Sequence, residues 1–175
     1  MLMPMSKRQL KFIVDSMLGD VARWLRMLGY DTLYFKDISD NQLISIAKRD
    51  GRILVTRDKT LFTKAKRKGL GVVYLGKAQD IIARLTTLYK YHSINLEIDP
   101  NRSRCPICNG ILKHVEPWEV KGKVDNSIKE RYSEFWLCTK CGKVYWKGTH
   151  WITIEKILLE VKRRIGVDRE DLKEN

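Results

Sequence analysis

No run of 18 apolar residues occurs in this 175-residue chain, so the sequence offers no segment able to cross a bilayer as a helix. The opening stretch Met1-Leu2-Met3-Pro4-Met5-Ser6-Lys7-Arg8 lacks a sustained apolar core and does not read as an export leader. No glycine-rich fingerprint follows any of the strand-like segments, which argues against a Rossmann or P-loop phosphate cradle. Acidic residues are also scarce. The chain has 21 Asp and Glu against 34 Lys and Arg, a formal charge of +13. Residues 1–94 contain no glutamate at all, and 18 basic against 8 acidic side chains give them +10. Residues 95–175 carry 16 and 13, or +3. Carboxylate chemistry in the first half therefore falls to aspartate alone. A field of this sign suits nucleic acid, the plainer alternative being a solvated basic surface. Membrane attachment is disfavoured, because no helix pairs a dense Lys/Arg face with a broad surplus apolar face.

Cysteine is limited to four residues, and all four fall in two CxxC pairs, Cys105/Cys108 and Cys138/Cys141. This spacing is the usual way to hold one structural zinc by four thiolates. Without an export signal, metal in a reducing cytoplasm is favoured over disulfides. The pairs divide the chain into a cysteine-free module over 1–94, a polar linker over 95–104, a zinc ribbon over 105–150, and a C-terminal helix and tail over 151–175.

The first half alternates strand and helix. Leu10–Val14, Thr32–Phe35, Arg52–Thr56 and Val72–Leu75 read as short strands, each followed by a helix-period pattern. Ser39 with Gln42 three residues on fits a capping box for the second helix. Four such units predict an α/β fold, a mostly parallel sheet with helices on both faces. In the ribbon, strands are expected around Leu112, over Glu130–Leu137 and over Lys143–Trp146. A last helix is expected over Thr153–Ile165.

Ligands of open α/β sheets sit beyond the carboxyl ends of the strands. Asp15 directly follows the first strand, Asp58 lies two residues past the third, and Asp40 opens the helix after the second. Three carboxylates on one rim suit Mg²⁺ or Mn²⁺, hard ions that take oxygen ligands and can activate water toward a phosphodiester. Each aspartate is also explicable as a helix cap. Asp20 and Asp37 are the spare acidic candidates. Arg23, Arg26 and Arg57 lie beside the cluster and could hold phosphate oxygens.

The stretch Phe12-Ile13-Val14-Asp15, Leu18-Gly19-Asp20-Val21-Ala22-Arg23-Trp24-Leu25-Arg26-Met27-Leu28-Gly29-Tyr30-Asp31, then Asp40 and Val55-Thr56-Arg57-Asp58, resembles a PIN-like ribonuclease domain. More narrowly it resembles the domain at the C-terminus of Mut-type exonucleases. The likeness continues through Cys105-Pro106-Ile107-Cys108 and Cys138-Thr139-Lys140-Cys141-Gly142 to Trp151. It implies metal-dependent hydrolysis of RNA, endonucleolytic, with Asp15, Asp40 and Asp58 as the Mg/Mn ligands and zinc in the ribbon as a structural ion. Many PIN nucleases use four acidic residues including a glutamate; here Asp20 or Asp37 would supply the fourth, or one metal alone binds tightly. The runner-up is a noncatalytic RNA-binding or ribosome-associated module. Homodimerisation is left open, and the expected location is the cytoplasm.

Overall fold

A computed structural model describes residues 10–166; the opening stretch read above and the tail 167–175 lie outside the described residues. The described residues form two sheets. The first contains β1 (Lys11–Val14), β2 (Asp31–Tyr34), β3 (Ile53–Thr56) and β4 (Val72–Tyr74), all parallel in the order β2-β1-β3-β4. Parallel strands need crossovers, and the connections are α1 (Gly19–Met27), α2 (Asp40–Asp50) and α3 (Lys59–Arg67), with α4 (Ile81–His92) after β4. A short 3-10 turn, Ser16–Leu18, leads from β1 into α1.

Side-chain alternation sorts the core into two layers. Phe12, Val14, Val55 and Val73 face one side, against Leu25 of α1 and Leu85 and Leu88 of α4. Ile13 and Leu54 face the other, against Leu43, Ile44 and Ala47 of α2 and Leu61 and Ala65 of α3. Burial on both faces explains why the strands read as short continuous apolar runs. The capping box forms as expected: the Ser39 hydroxyl accepts from the Gln42 N–H at 3.3 Å, and the Gln42 side chain accepts from the Ser39 N–H at 3.0 Å.

The second sheet holds β5 (Leu112–Val115), β6 (Phe135–Cys138) and β7 (Val144–Tyr145), antiparallel in that order. The strand expected from Glu130 begins only at Phe135. Residues before it form α5 (Asn126–Arg131), because Ile128 and Tyr132, four apart, both turn inward onto Val115, Val120 and Phe135. The last helix, α6 (His150–Arg164), begins three residues earlier than expected. It packs on the first sheet's helices, adding Leu158 and Val161 to their core. The 95–104 segment is not a free tether either. Leu96 is buried with Ile94 in the same core, and the Ser103 hydroxyl donates to the Met27 carbonyl at 2.5 Å.

A seam joins the ribbon to β2, which is an edge strand. Exposed edges carry unpaired backbone groups that invite foreign pairing. Here the Thr32 N–H donates to the Asn109 side chain at 3.0 Å, and the Thr32 carbonyl accepts from Arg26 Nε at 2.9 Å. Arg26 Nη1 also donates to the carbonyls of Pro106 and Ile107 inside the first knuckle, at 2.9 and 3.0 Å. Asn109 takes a left-handed backbone, φ 65°, and donates its amide to Asp31 at 2.8 Å. Burial works against the Asp31 carboxylate, but hydrogen bonds from Arg52 and Asn109 outweigh it and hold its pKa below the usual range. The stability it contributes is therefore full above its unfolded pKa, ~4, and is lost as pH falls through the lower folded value. Gly29 serves the same seam. Its φ of 94° suits glycine, and a Cβ there would come within 3.0 Å of the Arg102 carbonyl.

Arg26 is only 5% exposed, so Arg26→Met, which keeps the stem and deletes the donors, leaves three carbonyls without their partner. The expected loss is about 3 kcal/mol of unfolding free energy, read by urea denaturation against wild type.

Candidate functional site

Two sites emerge, at opposite ends of the first sheet. At the carboxyl end, α1 lies on one face while α2 and α3 lie on the other, so the winding reverses between β1 and β3. Asp15 directly follows the last residue of β1 and Thr56 ends β3, which puts them at the crevice where such sheets bind ligands. Asp15 is buried, 7% exposed. One carboxylate oxygen accepts from the Thr56 hydroxyl at 2.8 Å and the other from Ser16 at 3.3 Å. Among the described residues no Lys, Arg or His pairs with it. A buried carboxylate held only by hydroxyls is a site that favours a cation.

Thr56 couples the second aspartate to the first, since its oxygen accepts from the Asp58 N–H at 2.9 Å. The Asp58 side chain caps α3, accepting from the N–H groups of Thr60 and Leu61 at 2.6 and 2.9 Å. The cap reading of Asp58 thus holds, and one of its oxygens remains unused by these bonds. Asp40 is exposed in the first turn of α2, on the same rim. The three carboxylates share the rim without converging: among the described residues only the four cysteines close to within 4.8 Å of one another. A hydrated Mg²⁺ or Mn²⁺ tolerates this, because it binds through one or two carboxylates and keeps several waters.

The other candidates separate by surroundings. Asp20 forms an ion pair with Arg84 at 2.5 Å, which reduces its availability as a ligand. Asp37 is exposed in the bend before α2. Arg23 and Arg57 are exposed, Arg57 directly before Asp58. Arg26 is corrected: it faces the seam, its donors engaged by backbone carbonyls, and it does not reach solvent to grip phosphate. Thr56 escapes the sequence reading. Its signal is a polar side chain, fully buried, at the last position of an otherwise apolar strand.

At the amino end of the sheet sits the cysteine cluster. Sγ atoms of Cys105 and Cys141 lie 3.7 Å apart and those of Cys108 and Cys138 3.4 Å apart. A tetrahedral zinc with Zn–S of about 2.3 Å sets its sulfurs ~3.8 Å apart, so the cluster fits that ion. The N–H groups of Lys140 and Cys141 both point at Cys138 Sγ at 3.4 Å, and the Tyr145 hydroxyl lies 3.0 Å from Cys105 Sγ. Burial alone would raise the Cys105 thiol; Tyr145 and the N–H groups of Cys108 and Ile107 outweigh it and bring it to about 7. Burial pushes Cys108 up to about 12. Gly110 is needed for space, since a Cβ there would lie 2.8 Å from Cys138 Sγ. Four thiolates close the coordination shell, which suits a structural ion and leaves no position for substrate.

No helix among the described residues is long and apolar enough to cross a membrane. Neither the curated proteins nor the solved structures offer a match to the chain. A family model does match, described as the Mut7-C RNAse domain, and it runs over residues 10–158, from the first strand into the last helix. With its PIN-like parallel sheet, its acidic rim and its cysteine cluster, this chain belongs to the Mut7-C RNAse domain family.

Proposed function

We propose that the protein is a Mg²⁺- or Mn²⁺-dependent endoribonuclease of the cytoplasm, cutting RNA at the rim formed by Asp15, Asp40 and Asp58. The observation that carries this reading is Asp15: a buried carboxylate at the winding reversal, with no basic partner among the described residues, in a chain of an RNase family. A bound Mg²⁺ or Mn²⁺ would supply a water of lowered pKa and neutralise charge on the scissile phosphate. The chain's own residues do the rest. The Thr56 hydroxyl holds the Asp15 carboxylate in one orientation and ties it to the start of α3. Asp58 and Asp40 add negative charge to the same rim and retain oxygens facing solvent. Exposed Arg23 and Arg57 attract the phosphate backbone. The zinc ion of the ribbon takes no part in hydrolysis.

A second reading, a noncatalytic RNA-binding or ribosome-associated module, draws on the spread of the three carboxylates and the capping role of Asp58. The deciding experiment is cleavage of mixed structured and single-stranded RNAs with Mg²⁺ or Mn²⁺, and with chelator. Wild type should cut internally and only with metal, and a folded Asp15→Asn plus Asp58→Asn double variant should not cut. Equal background cleavage from both proteins would overturn the nuclease assignment.

A further inference from the structure

A cavity of about 500 Å³ opens between the ribbon, the 95–104 segment and the start of α6. Its volume falls within the range of small-ligand pockets, roughly 300–1,000 Å³. Met27, at the end of α1, and Pro106, in the first knuckle, line it, so it lies at the amino end of the sheet. Asp15 and Asp58 lie past the opposite end. Asp20 and Met27 alone are separated by ~10 Å along α1. The cavity is therefore separate from the acidic rim.

Its walls combine two features. Tyr132, Trp136, Trp146 and Trp151 give it aromatic faces. Trp136 is fixed, buried, with its indole N–H donating to Asn101 at 2.9 Å, whereas Trp146 and Trp151 remain partly exposed. The charged side chains on the lining are Arg104, Arg131 and Lys143, His150 lies beside them, and among the described residues no carboxylate joins them. Lys147 lies over two of these rings, 6.0 Å from Trp136 and 5.4 Å from Trp151. Among the described residues Arg131, Lys143 and Lys147 form no ion pair. Uncompensated positive charge around aromatic planes is complementary to a ligand that is planar, aromatic and anionic at once.

We propose that this cavity is a second nucleic-acid subsite that takes one unpaired nucleobase of a single strand, with the adjoining phosphate held by Lys143, Lys147 and Arg131. The base stacks on Trp146 or Trp151, and the fixed Trp136 forms the back wall. Stacking accepts any base, so the subsite selects single-stranded over paired RNA rather than one sequence. The inference rests on the reading of the chain as a protein that acts on RNA. It adds an anchor beyond the opposite end of the first sheet from the cut.

The test is photocrosslinking of a short single-stranded RNA carrying 4-thiouridine, with the Asp15→Asn protein so that the RNA stays intact, followed by peptide mapping. Crosslinks on the peptide containing Trp146 and Trp151 are expected. In the same background, Lys143→Glu with Lys147→Glu, both exposed positions, should weaken RNA binding at least about tenfold. Trp151→Ala should weaken it about five- to hundredfold at unchanged zinc content. Crosslinks confined to the rim, together with affinities equal to the parent, would overturn the subsite while leaving the nuclease standing. An acidic peptide that fills the cavity where RNA leaves its tryptophan fluorescence unchanged would overturn it too. Pocket crosslinks from a protein whose wild type never cuts RNA would sustain the subsite and sink the nuclease.

Discussion

Removal of zinc should unfold the ribbon and loosen the edge of the first sheet with it. Structural zinc sites contribute on the order of 10–16 kcal/mol of apparent binding free energy at neutral pH, more than a small module gains from its core. The ribbon's core shows why. Its metal-side cluster consists of Trp136 and Leu112 packed directly on Cys105 and Cys138, so the sulfurs are part of the wall that buries the indole. Cys138→Ser replaces a buried thiolate ligand by a hydroxyl on a shorter bond, which draws the acceptor back from the N–H groups of Lys140 and Cys141. The protein should then fall from one bound zinc per chain to well below one, and the near-UV circular dichroism of Trp136 should collapse. The effect should travel. The Thr32 N–H is tied to Asn109, and Pro106 and Ile107 hold Arg26, so hydrogen exchange at Thr32 should accelerate at least about tenfold on chelation. The amides of α2, on the other face of the sheet, should keep their protection. A chelated protein with unchanged near-UV signal and unchanged Thr32 exchange would refute the coupling.

The first sheet was legible because its strands carry their signal locally. A run such as Ile53-Leu54-Val55-Thr56 is buried on both faces, and a capping pair such as Ser39 with Gln42 needs no distant partner. The losses are all partner-dependent. Arg26 looks like any basic residue on a helix, yet two of its acceptors lie 80 and 81 residues away in a zinc knuckle, and no local pattern encodes that. Glu130–Leu137 reads as a strand from its aromatics, but the i, i+4 pair Ile128 and Tyr132 makes its first part helical. The acidic rim was legible as topology, since a residue that ends a parallel strand must lie at the carboxyl end of the sheet. The radial distances were not, so the sequence placed three aspartates on the rim without showing that, among the described residues, they do not close on one another as the cysteines do. Thr56 is the same lesson in miniature. Its hydroxyl has meaning only because β1 and β3 are neighbours, which brings Asp15 to it across 41 residues.

Replacing Asp15 by asparagine should abolish cleavage and at the same time stabilise the metal-free fold. The carboxylate is 7% exposed and among the described residues its side-chain donors are hydroxyls alone, so folding without metal strands a charge that water would otherwise solvate. Asparagine keeps the shape and one acceptor oxygen for the Thr56 hydroxyl while removing the charge. Unfolding free energy in chelator should rise by about 1–2 kcal/mol, within the range of single stabilising changes at sites where function opposes stability. Activity should move the other way, falling at least about a hundredfold, since loss of a metal ligand costs 10²-fold or more in transition-state stabilisation of this electrostatic kind. Metal then separates the two proteins. Mg²⁺ or Mn²⁺ that binds only the folded state stabilises by RT ln(1 + [L]/Kd), so the wild-type melting temperature should climb with added metal and the variant's should not. Thr56→Val gives the control, because it leaves the Asp15 charge and deletes the hydroxyl that orients it. That variant should lose stability and cleave more slowly while still responding to metal. If Asp15→Asn destabilises in chelator, or if both proteins gain equally from metal, the carboxylate is a structural hydrogen-bond acceptor and the ion binds elsewhere.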